Sequence, residues 1–148
     1  MSNQLYFEDI TVGQEIPSLE KSVNTVNITM YLSAVWLIDR IHFDYPFATQ
    51  RRGLPNIVAP GNMATDYYVQ LLSGWAGEKG NLRKMSVQFR NFMVPGDILV
   101  CGGKVTAKYI RDGKGCVELD LWIKNQNDIT CVPGKGLVEL PVQDVSKA

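Results

Sequence analysis

The 148-residue chain has one histidine, three cysteines and no excess of charge of either sign, and each shortage removes a class of function. Cys101, Cys116 and Cys131 stand far apart, form no C-x-x-C and have a single histidine to join them. That pattern excludes a disulfide framework and a zinc centre. The three read as reduced, mostly buried strand residues, since a nucleophilic thiol needs an electropositive, accessible environment that the sequence does not supply. Fifteen basic side chains offset fifteen acidic ones, with a pI near 6.6, so no global positive field exists to hold a polyanion, and nucleic acid is not an expected partner. No run approaches the roughly 20 apolar residues that span a bilayer, and Met1-Ser2-Asn3-Gln4 does not open a charged leader followed by an apolar core. The expectation is a soluble, cytoplasmic protein without a membrane partner. Repeats, linkers and low-complexity stretches are also missing, and the length suits one domain over residues 1–148 with a core of ordinary size.

What is present starts with the single histidine. His42 lies in Asp39-Arg40-Ile41-His42-Phe43-Asp44, between two carboxylates and in otherwise apolar company. Imidazole is the side chain best suited to move protons near neutral pH, so acid–base chemistry by an imidazole in this chain must use His42. A packed or surface histidine is the plainer alternative.

Around it the pattern divides in two. Residues 15–23 read as a first strand, after which Thr25 or Asn27 can cap a helix with Ile28, Leu32, Val35 and Trp36 at helical spacing. Asp44 can cap a further short turn, with Pro46 tolerated in it, ahead of the basic loop Gln50-Arg51-Arg52-Gly53. From 61 to about 75, Met63, Tyr67, Tyr68, Leu71, Leu72 and Trp75 form a broad apolar surface, the mark of a largely buried helix. Alternation then takes over, with Met85, Val87 and Phe89 in one run and Val117, Leu119, Leu121 and Ile123 in another. Pro95-Gly96-Asp97, Arg111-Asp112-Gly113-Lys114-Gly115 and Asn125-Gln126-Asn127-Asp128 punctuate the strands. One long apolar helix followed by long antiparallel strands gives an α+β class, a sheet wrapped around a central helix.

Four stretches carry a family resemblance: Phe7-Glu8-Asp9-Ile10-Thr11-Val12-Gly13-Gln14; Arg40-Ile41-His42-Phe43-Asp44 with Phe47-Ala48; Gly53-Leu54-Pro55-Asn56-Ile57-Val58-Ala59-Pro60-Gly61; and Val87-Gln88-Phe89-Arg90 leading to Pro95-Gly96-Asp97. In order and spacing they resemble the hot-dog fold and, within it, the MaoC-like dehydratase and (R)-specific enoyl-CoA hydratase superfamily. The Arg-Ile-His-Phe-Asp form is similar to the branch of 3-hydroxyacyl-thioester dehydratases and mesaconyl-CoA hydratases. Gly74-Trp75-Ala76-Gly77 is similar to MaoC-like subunits of steroid side-chain degradation.

The resemblance implies a lyase that adds water across the 2,3 double bond of an enoyl-CoA, or removes it from an (R)-3-hydroxyacyl-CoA. It implies no cofactor beyond the coenzyme A of the substrate. Such chemistry needs an activated water for C3, a proton for C2 and a donor for the charge that builds on the thioester oxygen. By resemblance His42 is the catalytic histidine, and Gly61, opening the long helix, offers its N–H to the carbonyl. A helix start suits that task, because its free N–H groups and dipole favour negative charge. The pattern departs at the partner: Leu37 stands five residues before His42, where the hydratases carry Asp, and Asp39 stands three before it. Asp39 is the candidate that supplies the carboxylate from a displaced position. Asn62, Arg90, Arg51 and Arg52 are candidates for substrate contact, the arginines for coenzyme A phosphates; Arg83 and Lys84 belong to the same basic set. Solvated charge is the plainer reading for each basic residue, and a capping or solvated role for Asn62. Asp44 reads foremost as a cap, and Asp66 gains from the helix dipole with or without a ligand.

Two other functions fit the pattern. With Leu37 at the Asp position, the chain can be a non-catalytic subunit that completes the groove of a MaoC-like partner; acyl-CoA hydrolysis on the same fold ranks last, since no Asp or Glu opens the long helix. A hot-dog domain exposes a sheet edge and half a groove, which implies a homodimer or higher oligomer, or a heteromer with a second MaoC-like subunit.

Overall fold

Alternating hydrophobicity sets the sheet. In the computed structural model, which describes residues 4–143, Val117, Leu119, Leu121 and Ile123 of β4 (Lys114–Lys124) are buried, while Glu118 and Asp120 face outward. β4 pairs antiparallel with β3 (Ile98–Arg111) on one side and β5 (Thr130–Leu140) on the other. β1 (Leu19–Ser22) joins β3 and β2 (Asn81–Val87) joins β5, giving the order β1-β3-β4-β5-β2. The β3–β4 connection turns on Asp112 and Gly113, whose φ angles of 51° and 74° fit a two-residue turn that matches the twist of its strands.

The sheet curls around α2 (Gly61–Ala76). Met63, Ala64, Tyr67, Tyr68, Leu71, Leu72 and Ala76 are buried, and the Tyr68 hydroxyl donates to the Val132 carbonyl of β5. Gly136 lets the helix approach: a Cβ there would stand 3.1 Å from Leu72 Cδ1. Each of the larger apolar side chains, such as Leu71 and Leu72, contributes about 1.5–3 kcal/mol when withdrawn from water. The fold is the expected α+β one, an antiparallel sheet wrapped around one central helix.

Four local expectations change. The first strand is shorter than residues 15–23: Pro17 cannot donate to a ladder, so Glu15 makes an isolated bridge to Lys104 and β1 begins at Leu19. The cap of α1 (Thr25–Val35) is Asn24, not Thr25 or Asn27; its side chain accepts from the Asn27 N–H at 2.8 Å. Ile28 and Leu32 are buried as the helical spacing requires, but Val35 and Trp36 are exposed, because the chain leaves the helix through a left-handed Trp36 (φ 56°). Phe89, read as the third member of an alternating strand, lies beyond the end of β2, with 58% of its surface exposed.

Cys101, Cys116 and Cys131 are free and buried, and burial pushes the Cys101 thiol up to about 12. Among the described residues no helix is long and apolar enough to cross a membrane, and no three His, Cys, Asp or Glu side chains cluster to hold a metal.

Candidate functional site

The site is built from two irregular segments held against each other. After α1 the chain makes a single 3-10 turn, Arg40–His42, capped by Asp39, whose carboxylate accepts from the Ile41 N–H at 3.2 Å. The second segment leads into α2. The Val58 N–H donates to the Ile41 carbonyl (3.2 Å), and the Val58 carbonyl lies 2.7 Å from His42 Nδ1. The Ala59 N–H donates to Met93 (2.7 Å), tying this lead-in to the segment after β2.

The contact with Val58 fixes the tautomer of His42. A carbonyl oxygen only accepts, so Nδ1 carries the proton and Nε2 of the neutral ring keeps its lone pair. His42 is 8% exposed, and Nε2 has no hydrogen-bond partner among the described residues. Every fully buried side-chain nitrogen or oxygen there has a partner, so Nε2 must lie within the small part of the ring that solvent reaches. A buried imidazole with a fixed tautomer and one accessible lone pair is an equipped general base.

Three residues beyond Val58, α2 opens after Pro60 with no side-chain cap. Among the described residues neither the Gly61 nor the Asn62 N–H has an acceptor, the ordinary condition of an uncapped first helical turn. Asn62 is exposed at this start. Gly61 is not in the left-handed region, so its backbone conformation does not demand glycine.

The remaining candidates separate. Asp39 is exposed, and its carboxylate holds its own turn rather than the His42 ring. Leu37, half-buried, packs against the core below α1, while its N–H closes the helix on Leu32 (3.0 Å). Asp44 is a cap: it accepts from the Phe47 N–H at 3.1 Å and pairs with Arg40 at 2.6 Å. The Arg40 guanidinium, helped by that N–H, holds its carboxyl below the usual range. Asp66 accepts from the Tyr31 hydroxyl at 2.8 Å; burial first and Asp66 second push that phenol up to about 12. Arg51 and Arg52 line an open concavity of 670 Å³ with Arg40 and Asp44, whereas Arg90, held by Gln88 at 2.8 Å, lines a different one of 520 Å³ with Asp120 and Lys135. Arg83 pairs with Glu139 (3.4 Å), and Lys84 is exposed. Sequence reasoning missed two contributors. No residue type marks a backbone carbonyl such as that of Val58, and the ring of Phe89, which stands against Gly61, was hidden by its fit to a strand pattern.

No protein-family model matches the chain, and no curated protein matches it. Solved structures do. The (R)-hydratase from A. caviae involved in PHA biosynthesis superposes with a TM-score of 0.77 at 22% identity, covering 90% of this chain and 99% of that one. The MaoC-like dehydratase from Rhodospirillum rubrum gives 0.82 at 20%, covering 95% and 99%. A chain of the ChsH1-ChsH2 complex from Mycobacterium tuberculosis gives 0.77 at 18%, covering 88% and 98%. These likenesses define the class: the chain has the hot-dog fold found in MaoC-like proteins. At such identities they establish the fold alone, and the chemistry has to be argued from the site.

Proposed function

We propose that the protein is a hydratase or dehydratase acting on a coenzyme A thioester. The observation that carries the reading is His42, a buried imidazole whose Nε2 has no partner among the described residues, tied through Val58 to a helix start whose Gly61 and Asn62 N–H groups are free. In hydration, Nε2 takes a proton from water as the water oxygen bonds to C3. The electrons of the C2–C3 double bond move onto the thioester oxygen, where the Gly61 N–H holds the charge. C2 then takes a proton back from the imidazolium, the enolate collapses, and the sum is one added water. Asp39 shares that water through the carboxylate oxygen not used by Ile41. Asn62 is assigned to substrate contact, and the Arg51–Arg52 concavity and Arg90 to phosphates of the coenzyme. Names among the structural neighbours, an (R)-hydratase and a MaoC-like dehydratase, agree with this kind of reaction.

The test is a panel of trans-2-enoyl-CoA thioesters, followed by loss of enoyl absorbance. Turnover that falls about 100-fold or more in His42→Ala is expected, the range for a general base; turnover unchanged by His42→Ala would refute the assignment. One observation favours a second reading: Leu37 packs half-buried against the core and no carboxylate among the described residues is hydrogen-bonded to the His42 ring, so the chain can complete the groove of another MaoC-like subunit. A likeness to one member of a two-protein complex supports it. Full turnover by the isolated chain excludes an obligatory partner; an inactive chain that activates a co-purified hydratase favours one.

A further inference from the structure

The aromatic ring of Phe89 meets the start of α2 in a way that assigns it a role. A Cβ added to Gly61 would lie 2.8 Å from Phe89 Cζ, 2.9 Å from Cε1 and 3.2 Å from Cε2. The ring therefore fills the space where a side chain of residue 61 would stand, beside the free Gly61 and Asn62 N–H groups. Since the backbone at 61 is ordinary and alanine is the better helix former, the close ring is the physical reason for glycine here.

Phe89 is also mounted rather than loose. The Gln88 N–H donates to Pro133 (2.9 Å), the Arg90 N–H to Cys131 (2.9 Å) and the Asn91 N–H to Cys131 (3.1 Å), while Asn91 Nδ2 donates to Thr130 (2.8 Å). β5 thus fixes the backbone on both sides of a ring that is itself 58% exposed. An aromatic that gains so little burial from a rigid mount is placed for something other than the core. The other half of the site supplies the second observation: His42, 8% exposed, keeps an Nε2 without a partner among the described residues.

We infer that Phe89 is a positioning residue, an apolar cover that lies against the thioester when its carbonyl oxygen takes the Gly61 N–H, and keeps water from competing for that donor. This rests on the hydratase reading. Water excluded from a donor strengthens it where charge develops, so loss of the ring is expected in kcat more than in KM.

The experiment is a double-mutant cycle on the full chain, with Gly61→Ala, Phe89→Ala and both together, and Phe89→Tyr to restore the ring. Gly61→Ala keeps the N–H but pushes the ring aside. Each single change is expected to lower kcat about tenfold, a fraction of the loss from deleting a donor outright. Gly61→Ala is expected to add nothing in the Phe89→Ala background, and Phe89→Tyr to regain most of the rate lost in Phe89→Ala. An equal Gly61→Ala penalty with and without Phe89, or an effect of Phe89→Ala confined to KM, would overturn the proposal while leaving the hydratase reading in place. Should the wild type turn over no enoyl-CoA, the hydratase reading fails, and the cover that rests on it falls with it.

Discussion

The three long strands β3, β4 and β5 and the irregular chain between α1 and α2 solve opposite problems. In the sheet, side chains alternate, backbone groups pair in long ladders, and α2 fills the concave face. Between residues 36 and 60 no such regularity holds. Trp36, Ile38, Phe43 and Tyr45 are exposed, while His42, the one histidine, is buried among them in sequence. A handful of backbone bonds, including Leu54 N–H to Ala48 and Val58 N–H to Ile41, hold this segment to itself and to the body. The contrast shows a division of labour. The long ladders pair backbone groups along their strands and so supply stability, whereas the His42 ring and the first turn of α2 leave one imidazole nitrogen and two N–H groups without partners among the described residues, which is what a reacting site needs.

The largest effect expected from breaking that division lies in the body. Leu72→Ala, at the contact between α2 and Gly136, is expected to lower stability by about 2–5 kcal/mol, the cost of a cavity in a packed core, read as a shifted midpoint in urea unfolding. Rate per folded molecule should survive in this variant at temperatures where it remains folded. If Leu72→Ala instead abolishes turnover while leaving the midpoint in place, the body and the site are not separable in the sense argued.

How much of this was legible follows the same line. The sheet and α2 could be read because a burial pattern with period 2 or 3.6 is written in residue types: Val117, Leu119, Leu121 and Ile123 in one case, Met63, Tyr67, Tyr68, Leu71 and Leu72 in the other. Asp112-Gly113 announced its turn by the same kind of residue-level logic. His42 and Gly61 could be picked out by residue type and by a family resemblance. What could not be read was the lock on the imidazole, because the Val58 group that fixes its tautomer is a backbone carbonyl and any residue carries one. Pattern also misled where the packing it presumes runs out. Phe89 continues the alternation of Met85 and Val87, yet β2 stops at Val87, and the ring turns to the helix start instead.

Within the irregular segment the effects become smaller and test how it is held. Asp44 binds Arg40 and the Phe47 N–H, and its carboxyl is held below the ordinary 3.8. A carboxyl with a lowered folded value stabilises the fold above its unfolded value and loses that contribution as pH falls through the folded one. Asp44→Asn is therefore expected to be less stable than the wild type at neutral pH. The two unfolding midpoints should converge as pH falls from 3.8 through the lower folded value, below which the wild-type carboxyl is also neutral. A gap that persists in acid would mean that the lost contact is not ionic.

The smallest expected effect has the opposite sign. Trp36 ends α1 at φ 56° with 82% of its surface exposed, so it carries left-handed strain without compensating burial. A β-carbon in that conformation costs about 1–2 kcal/mol, and glycine removes it, at the cost of more freedom in the unfolded chain. Trp36→Gly is expected to gain a net of about 0.5 kcal/mol in denaturant unfolding after that offset. A loss of stability in the monomer would show that the indole packs in solution. A gain in stability accompanied by a fall in turnover would put the strain at Trp36 to work in holding the following turn, Arg40–His42, and would join to the site a residue that the body does not need.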